Sequence, residues 1–155
     1  MRRKDREVTD MNKIKNIINQ CYCCRIGMND NGKVYIVPLN FGWQERDNQL
    51  IFYFHSAQEG RKIDLLKKNP YVGFELDTNH QLQEGNIACQ YSSFYQSIIG
   101  EGKIEFIEDI EEKKQAFQYI MKHYTNKDHW EYATQMLKSV CLFQLVVEKI
   151  SCKEH

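Results

Sequence analysis

Behind Asp10, apolar residues recur every three or four positions: Met11, Ile14, Ile17, Ile18 and Cys21. That spacing predicts a helix capped by Asp10 and ending near Asn19 and Gln20. The period then shortens. Residues 21–28 and 33–42 are rich in β-formers and flank Asn29-Asp30-Asn31-Gly32, a tight-turn signal because Asn and Gly tolerate positive φ. They predict an antiparallel hairpin. Pro38 in its second arm argues for a sheet edge or a bulge, and a bulge leaves backbone groups free to meet something other than a strand. After a turn at 46–49, "LIFYFHS" (50–56) predicts a buried third strand.

Ile63, Leu65 and Leu66 then form the stripe of a helix over 59–68, stopped by Pro70. "YVGFELDT" (71–78) alternates as a fourth strand, followed by the polar loop "NHQLQEGN". Residues 87–106 carry another strand pattern, in which Gly100 and Gly102 permit a bend or bulge. Asp109 and Glu112 are spaced as a capping box for a helix burying Ala116, Phe117, Ile120, Met121 and Tyr124. A second helix over 127–138 would use Trp130, Ala133 and Leu137, and "VCLFQLVVEKI" (140–150) closes the pattern as a strand. Six β segments with few helices and mostly short turns predict a mainly β fold with flanking α: a small antiparallel barrel with helices packed outside. The 155 residues suffice for one domain, 1–155, with a real core.

Charge narrows the function classes. Lys plus Arg and Asp plus Glu number 21 each, so no broad nucleic-acid-binding face is expected. No apolar run approaches the ~20 residues needed to cross a bilayer. The start "MRRKDREVTDMNK" lacks an apolar segment behind its basic residues, which argues against a secretion signal; a cytoplasmic protein is expected. The six cysteines (Cys21, Cys23, Cys24, Cys89, Cys141, Cys152) make no pair of C-x-x-C knuckles. They read as structural or incidental thiols, with no metal.

Between the third strand and its helix stand His55, Ser56, Gly60, Arg61 and Lys62. One account is structural: Ser56 and Glu59 fit an S-x-x-E capping box, and the cations are solvated. Against it, first-turn cations sit at the positive end of a helix, unfavourable by ~0.3–1 kcal/mol each unless an anion answers them. A helix N-terminus with free amides, a hydroxyl and a glycine is a phosphate seat. An arginine fork, an ammonium and one or two further donors match a phosphate monoester. Glu59 fits only if turned away.

"RIGMNDNGKVYIVPLNFGW", "FYFHSAQEGRKIDLLKKNPYVGFELD", "YQSIIGEGKIEFIED" and "IMKHYTNKD", in that order from about residue 20 to 150, resemble the nitroimidazole-resistance (Nim) proteins. These belong to the pyridoxamine-phosphate-oxidase-like, FMN-binding split-barrel superfamily. The resemblance implies a six-stranded split β-barrel and a homodimer with two FMN sites at the subunit interface. It implies that Val37, Pro38, Leu39 and Asn40 line the isoalloxazine ring. His55, Ser56 and Ala57 would border the ribityl chain and phosphate, Arg61 and Lys62 would neutralise the phosphate, and Ser97 and Ile98 would approach a flavin near the dimer interface. Arg25 is a weaker candidate, for which a salt bridge serves as well. Trp43, Phe41, Tyr91, Phe94 and Trp130 are available to cover a planar ring, although core or dimer packing accounts for each. His80, His123, His129 and His155 stay unassigned.

The activity implied is an FMN-dependent reductase, passing hydride from a nicotinamide donor to a small electrophile such as a nitroimidazole. No Gly-rich dinucleotide fingerprint is present, so the donor would stack over the flavin. The alternatives are a non-catalytic FMN or haem module and a pyridoxamine-phosphate-oxidase-like enzyme.

Overall fold

The computed structural model describes residues 3–155. A two-residue strand, β1 (Glu7–Val8), leads into α1 (Met11–Gln20), where the Asp10 carboxylate accepts the Asn12 amide at 2.9 Å. Ile14, Ile17 and Ile18 are its buried face, as the spacing predicted. β2 (Cys24–Asp30) and β3 (Lys33–Leu39) form the expected hairpin. Its turn places Asn31 at φ 51° and Gly32 at φ 85°, the pair of positive values a two-residue hairpin turn needs.

The predicted second arm, 33–42, is cut short: β3 ends at Leu39, and β4 (Gly42–Arg46) starts two residues later on a different neighbour, β5 (Gln49–Ala57). Then follow α2 (Arg61–Lys68), β6 (Tyr71–Gln83), β7 (Ser92–Ile107), α3 (Ile110–Thr125), α4 (Thr134–Ser139) and β8 (Val140–Glu154). The sheet has eight strands rather than six, the additions being β4 and the short β1, but the class is the predicted one: antiparallel β with flanking helices. Strand order is β3-β2-β6-β7-β8-β5-β4, with β1 on β8.

The two ends of that order, β3 and β4, are joined only by Asn40 and Phe41. Leu39 and Gly42 can therefore stand no more than ~11 Å apart. The sheet must curl until its edges nearly meet, and the edges share no ladder. This is a barrel with a slit, and Asn40–Phe41 crosses it. Pro38 lies on the edge strand, where its missing donor breaks no inner ladder. At the predicted bend, the β7–β8 register shifts between Glu101 and Gly102.

Ile26, Phe41, Phe52, Phe54, Phe74, Leu76, Ile98 and Phe143 fill the barrel, with residues of α1 and α2 packed on them. A second cluster joins Ile51, Tyr53, Ile107 and Leu142 to Ala116 and Ile120 of α3. There Gly42 meets the helix directly: a Cβ on it would stand 2.2 Å from Ile120 N and 2.3 Å from Tyr119 C. The helix predicted over 127–138 contracts to α4. Residues before it are drawn onto α3 instead, with Gln118 Nε2 donating to Trp130 O at 3.0 Å and Tyr132 stacked on Phe117. Among the described residues, no helix is long and apolar enough to cross a membrane.

Candidate functional site

β5 carries its ladder with β8 as far as Ala57↔Val140, so Ser56 is held in extended backbone. Its hydroxyl donates to Ala57 O at 2.7 Å, and the Ser56–Glu59 capping box does not form. α2 begins instead from Gly60, at φ 127° and ψ 165°, a conformation that favours glycine. No side chain caps this helix. Gly60 O accepts the amides of Ile63 at 2.8 Å and Asp64 at 3.1 Å, and a Cβ on Gly60 would meet open space. The first-turn amides of Arg61 and Lys62 thus face outward beside two cationic side chains.

Those cations differ. Arg61 already has a carboxylate: Nη2 and Nε reach Asp30 Oδ2 at 2.6 and 3.2 Å, and the guanidinium lies 4.2 Å from the centre of the Tyr35 ring. Lys62 is half-buried and forms no ion pair among the described residues. Burial first, and the Lys62 charge second, hold the His55 imidazole below its ordinary value. His55 is therefore neutral near pH 7, able to donate from one ring nitrogen and accept at the other. Its ring packs 5.5 Å from that of Phe117.

Asn40 is exposed in the slit. The β4–β5 ladder ends at Gly42↔Tyr53; beyond it the Asn40 side chain lies by Tyr124, two turns further along α3 than Phe117, on which His55 packs. Val37 and Leu39 turn their side chains toward the barrel core, so along this edge only their backbone, Pro38 and Asn40 face outward. His55, Ser56, Ala57 and Lys62 therefore gather at the start of α2, with Arg61 alongside, while Asn40 stands apart from them in the slit.

Ser97 and Ile98 do not join them. Ile98 is fully buried in the barrel, on a strand paired on both sides, and its side chain cannot approach a surface ligand. Ser97 faces the other way, opposite Asp77 on one side and Lys153 on the other. Along β8 the partner of His55 is Leu142 and that of Ser97 is Lys153. That separation is ~35 Å of strand, so one chain cannot bring both groups to one flavin. A cavity of about 200 Å³ behind the junction is lined by Gln58, Lys67, Lys113 and Cys141 among others, and not by His55, Arg61 or Lys62.

Arg25 is the ion-pair residue foreseen as its alternative, bridging Glu75 at 2.8 Å and Asp77. Phe41 is fully buried and Trp43 packs on the core, its Nε1 donating to Asn19 Oδ1 at 2.9 Å; neither is free to cover a ring. Burial pushes the Cys21 thiol up to about 12 and Cys152 to about 11, and pushes Cys24 well above its ordinary range. These thiols are inert packing groups.

Sequence reasoning passed over His123 and Tyr124, at the end of α3. The Phe41 amide donates to Tyr124 Oη at 3.0 Å, and that hydroxyl donates to Tyr22 O at 2.8 Å. His123 Nε2 lies 2.8 Å from Cys21 O, and its ring is 4.3 Å from that of Phe41. A carbonyl only accepts, so Nε2 carries the proton. The available signal was the His-Tyr pair itself, in the block "IMKHYTNKD".

Residues 10–154 match the family described as Pyridoxamine 5'-phosphate oxidase. Among solved structures, a "putative 5-nitroimidazole antibiotic resistance protein" from Bacteroides thetaiotaomicron is 37% identical, with 96% of this chain and 86% of that one aligned at a TM-score of 0.82. The flavocytochrome Anf3 from Azotobacter vinelandii shares the fold at 18% identity, over 100% of this chain and 72% of that one, with a TM-score of 0.83. An FAD-binding protein from Mesorhizobium loti does so at 19% identity, over 97% of each chain, with a TM-score of 0.67. No curated protein sequence matches.

Proposed function

Because the chain belongs to the pyridoxamine 5'-phosphate oxidase family, we propose that it is an FMN-binding flavoprotein reducing small electrophiles such as nitroimidazoles with a nicotinamide donor. The observation that carries this reading is the uncapped start of α2. Free amides, Gly60 without a side chain and the unpaired Lys62 ammonium stand there beside a neutral imidazole. That donor set suits a phosphate monoester, whose three oxygens need several donors and whose charge needs a cation.

Lys62 and the α2 amides would hold the phosphate. Arg61, fixed against Asp30 and Tyr35, would add longer-range charge and keep the hairpin in place beside it. His55 would donate to the phosphate or the sugar alcohol, and the outward backbone of residues 37–40 with the Asn40 side chain would border the ring. When bound, FMN supplies the hydride chemistry, and the protein supplies position and electrostatics.

A homodimer completes the site in this reading. The ~35 Å of strand between His55 and Ser97 rules out joint contact within one chain, whereas a second copy can bring its Ser97 region to the first copy's α2. The outer sheet face suits such a partner: Val34, Ile36, Tyr71 and Ile99 are 77%, 59%, 59% and 55% exposed, and Gly27 and Gly73 leave bare backbone between strands. Six unpaired cysteines accord with the reducing cytoplasm.

Purified protein should be yellow, bleach anaerobically with NADH or NADPH, and regain colour on adding a nitroimidazole. Arg61→Ala with Lys62→Ala should weaken FMN at least about tenfold, since each charge-assisted contact contributes ~1.5–3 kcal/mol, while riboflavin binding stays as in the wild type. A colourless protein that takes up no added FMN overturns the flavin assignment. Bound flavin inert to both donors overturns the reductase.

A further inference from the structure

The link across the slit is held from outside the sheet, and at every point the holder is the same helix. Gly42 lies against the α3 backbone, too close for any Cβ. Phe41 gives its ring to His123 and its amide to Tyr124 Oη. That amide stands between β3 and β4, outside both ladders, in a residue that is fully buried. Without the phenol it would be an unpaired donor in the core. The Tyr124 hydroxyl donates to Tyr22 O, and His123 donates to Cys21 O, so the same helix turn also fastens the chain leaving α1. Burial pushes the Tyr124 phenol up from its ordinary value, and the nearby Asn40 side chain and Phe41 amide oppose that shift. Asn40, the exposed residue of the link, is thus set by contacts that never touch a ligand.

We propose that Tyr124, seconded by His123, is a positioning residue for the ring end of the flavin site: it fixes the Asn40–Phe41 peptide and so aims the Asn40 amide at the isoalloxazine edge. This rests on the flavin reading above. It predicts a division of labour, in which α2 grips the phosphate and α3 sets the ring-facing group through the slit.

The division can be measured. Tyr124→Phe keeps the ring that packs on Tyr22 and His123 but removes the oxygen. FMN and riboflavin should both bind about tenfold more weakly, roughly the worth of the one ring hydrogen bond from an Asn40 amide no longer held in place, with the ratio between the two ligands unchanged. The absorbance maximum of bound flavin should shift as well. A double-mutant cycle separates aim from general support. In an Asn40→Ala background, Tyr124→Phe should add less than about twofold, because its target is already gone. If Tyr124→Phe does not fold, His123→Gln, which removes the ring contact to Phe41, carries the same cycle. Wild-type affinity and spectrum in Tyr124→Phe would overturn the role while leaving the flavin site standing. So would effects of the two substitutions that simply multiply. A wild-type chain that binds no flavin removes the reading beneath it, and this role with it.

Discussion

Replacing Gly42 with alanine tests whether β4 truly rests on the backbone of α3. The new methyl would stand 2.2 Å from Ile120 N and 2.3 Å from Tyr119 C, both main-chain atoms that no rotamer change can move. Reaching an ordinary separation of ~3.5 Å requires the helix and strand to part by roughly 1.3 Å. The contact surface that must open includes Ala116 and Ile120, 1% and 3% exposed. Overpacking usually costs ~1–3 kcal/mol, and more where the obstacle cannot yield. A loss at or above ~3 kcal/mol is expected here, a large part of a typical ~5–15 kcal/mol stability. For a chain of this size it lowers Tm by roughly 6–12 °C. Thermal melts followed by circular dichroism read this directly. Gly73→Ala separates the two kinds of contact: within one chain a Cβ there meets only Gly100 O at 3.8 Å, so any fall in its Tm reports the outer sheet face that a second copy would cover. A Gly42→Ala protein melting within about 2 °C of the wild type, a shift worth no more than ~1 kcal/mol, would refute the packing argument.

Other substitutions probe the rest of the fold and site. Lys62→Ala alone should account for most of the FMN loss of the double variant, because Arg61 is already engaged by Asp30; isothermal titration of the single variants decides between them. Burial depresses the His123 pKa, so its unfolded form binds protons more readily. Stability should therefore be fully present above the unfolded value of ~6.5 and fall as pH drops through it, and in urea melts at several pH values His123→Gln should flatten that slope. Cys89, exposed on the surface, should react first with a thiol reagent, whereas Cys21, Cys24 and Cys152 should react only in denaturant, as counted by mass spectrometry. Ile36→Lys with Ile99→Lys, on the outer face, should leave a folded monomer in sedimentation that has lost most of its flavin affinity.

Local chemistry made much of this molecule legible in advance. Asn31 and Gly32 could serve only a turn of positive φ, Pro38 an edge or a bulge, of which the unbroken β2–β3 register leaves the edge, and Gly102 sits where the ladder slips. What escaped was decided by residues distant in the chain. The run 33–42 reads as one strand because nothing local ends it before Asn40; the break is imposed by Gly42 docking on a helix nearly eighty residues later. Ser56 and Glu59 have the spacing of a cap, but the β5–β8 ladder outcompetes it by carrying Ser56 into extended backbone. Arg61 looked free because Asp30 lies far upstream, on the hairpin. The site was legible as a cluster of cations and a hydroxyl before a helix. The fate of each group depended on long-range pairing that spacing does not encode, and Ile98, implied to approach a flavin near the dimer interface, is core like its cross-strand neighbour Leu76.

The tie formed by Asn40 and Phe41 makes the girth of the molecule a question of chain length. A longer excursion between residues 83 and 92 would hang at the rim and be absorbed, but one added residue between Leu39 and Gly42 would pay out slack where the hoop is drawn tight. Length variants of this chain should therefore be viable almost anywhere along its turns, and least viable across these two residues.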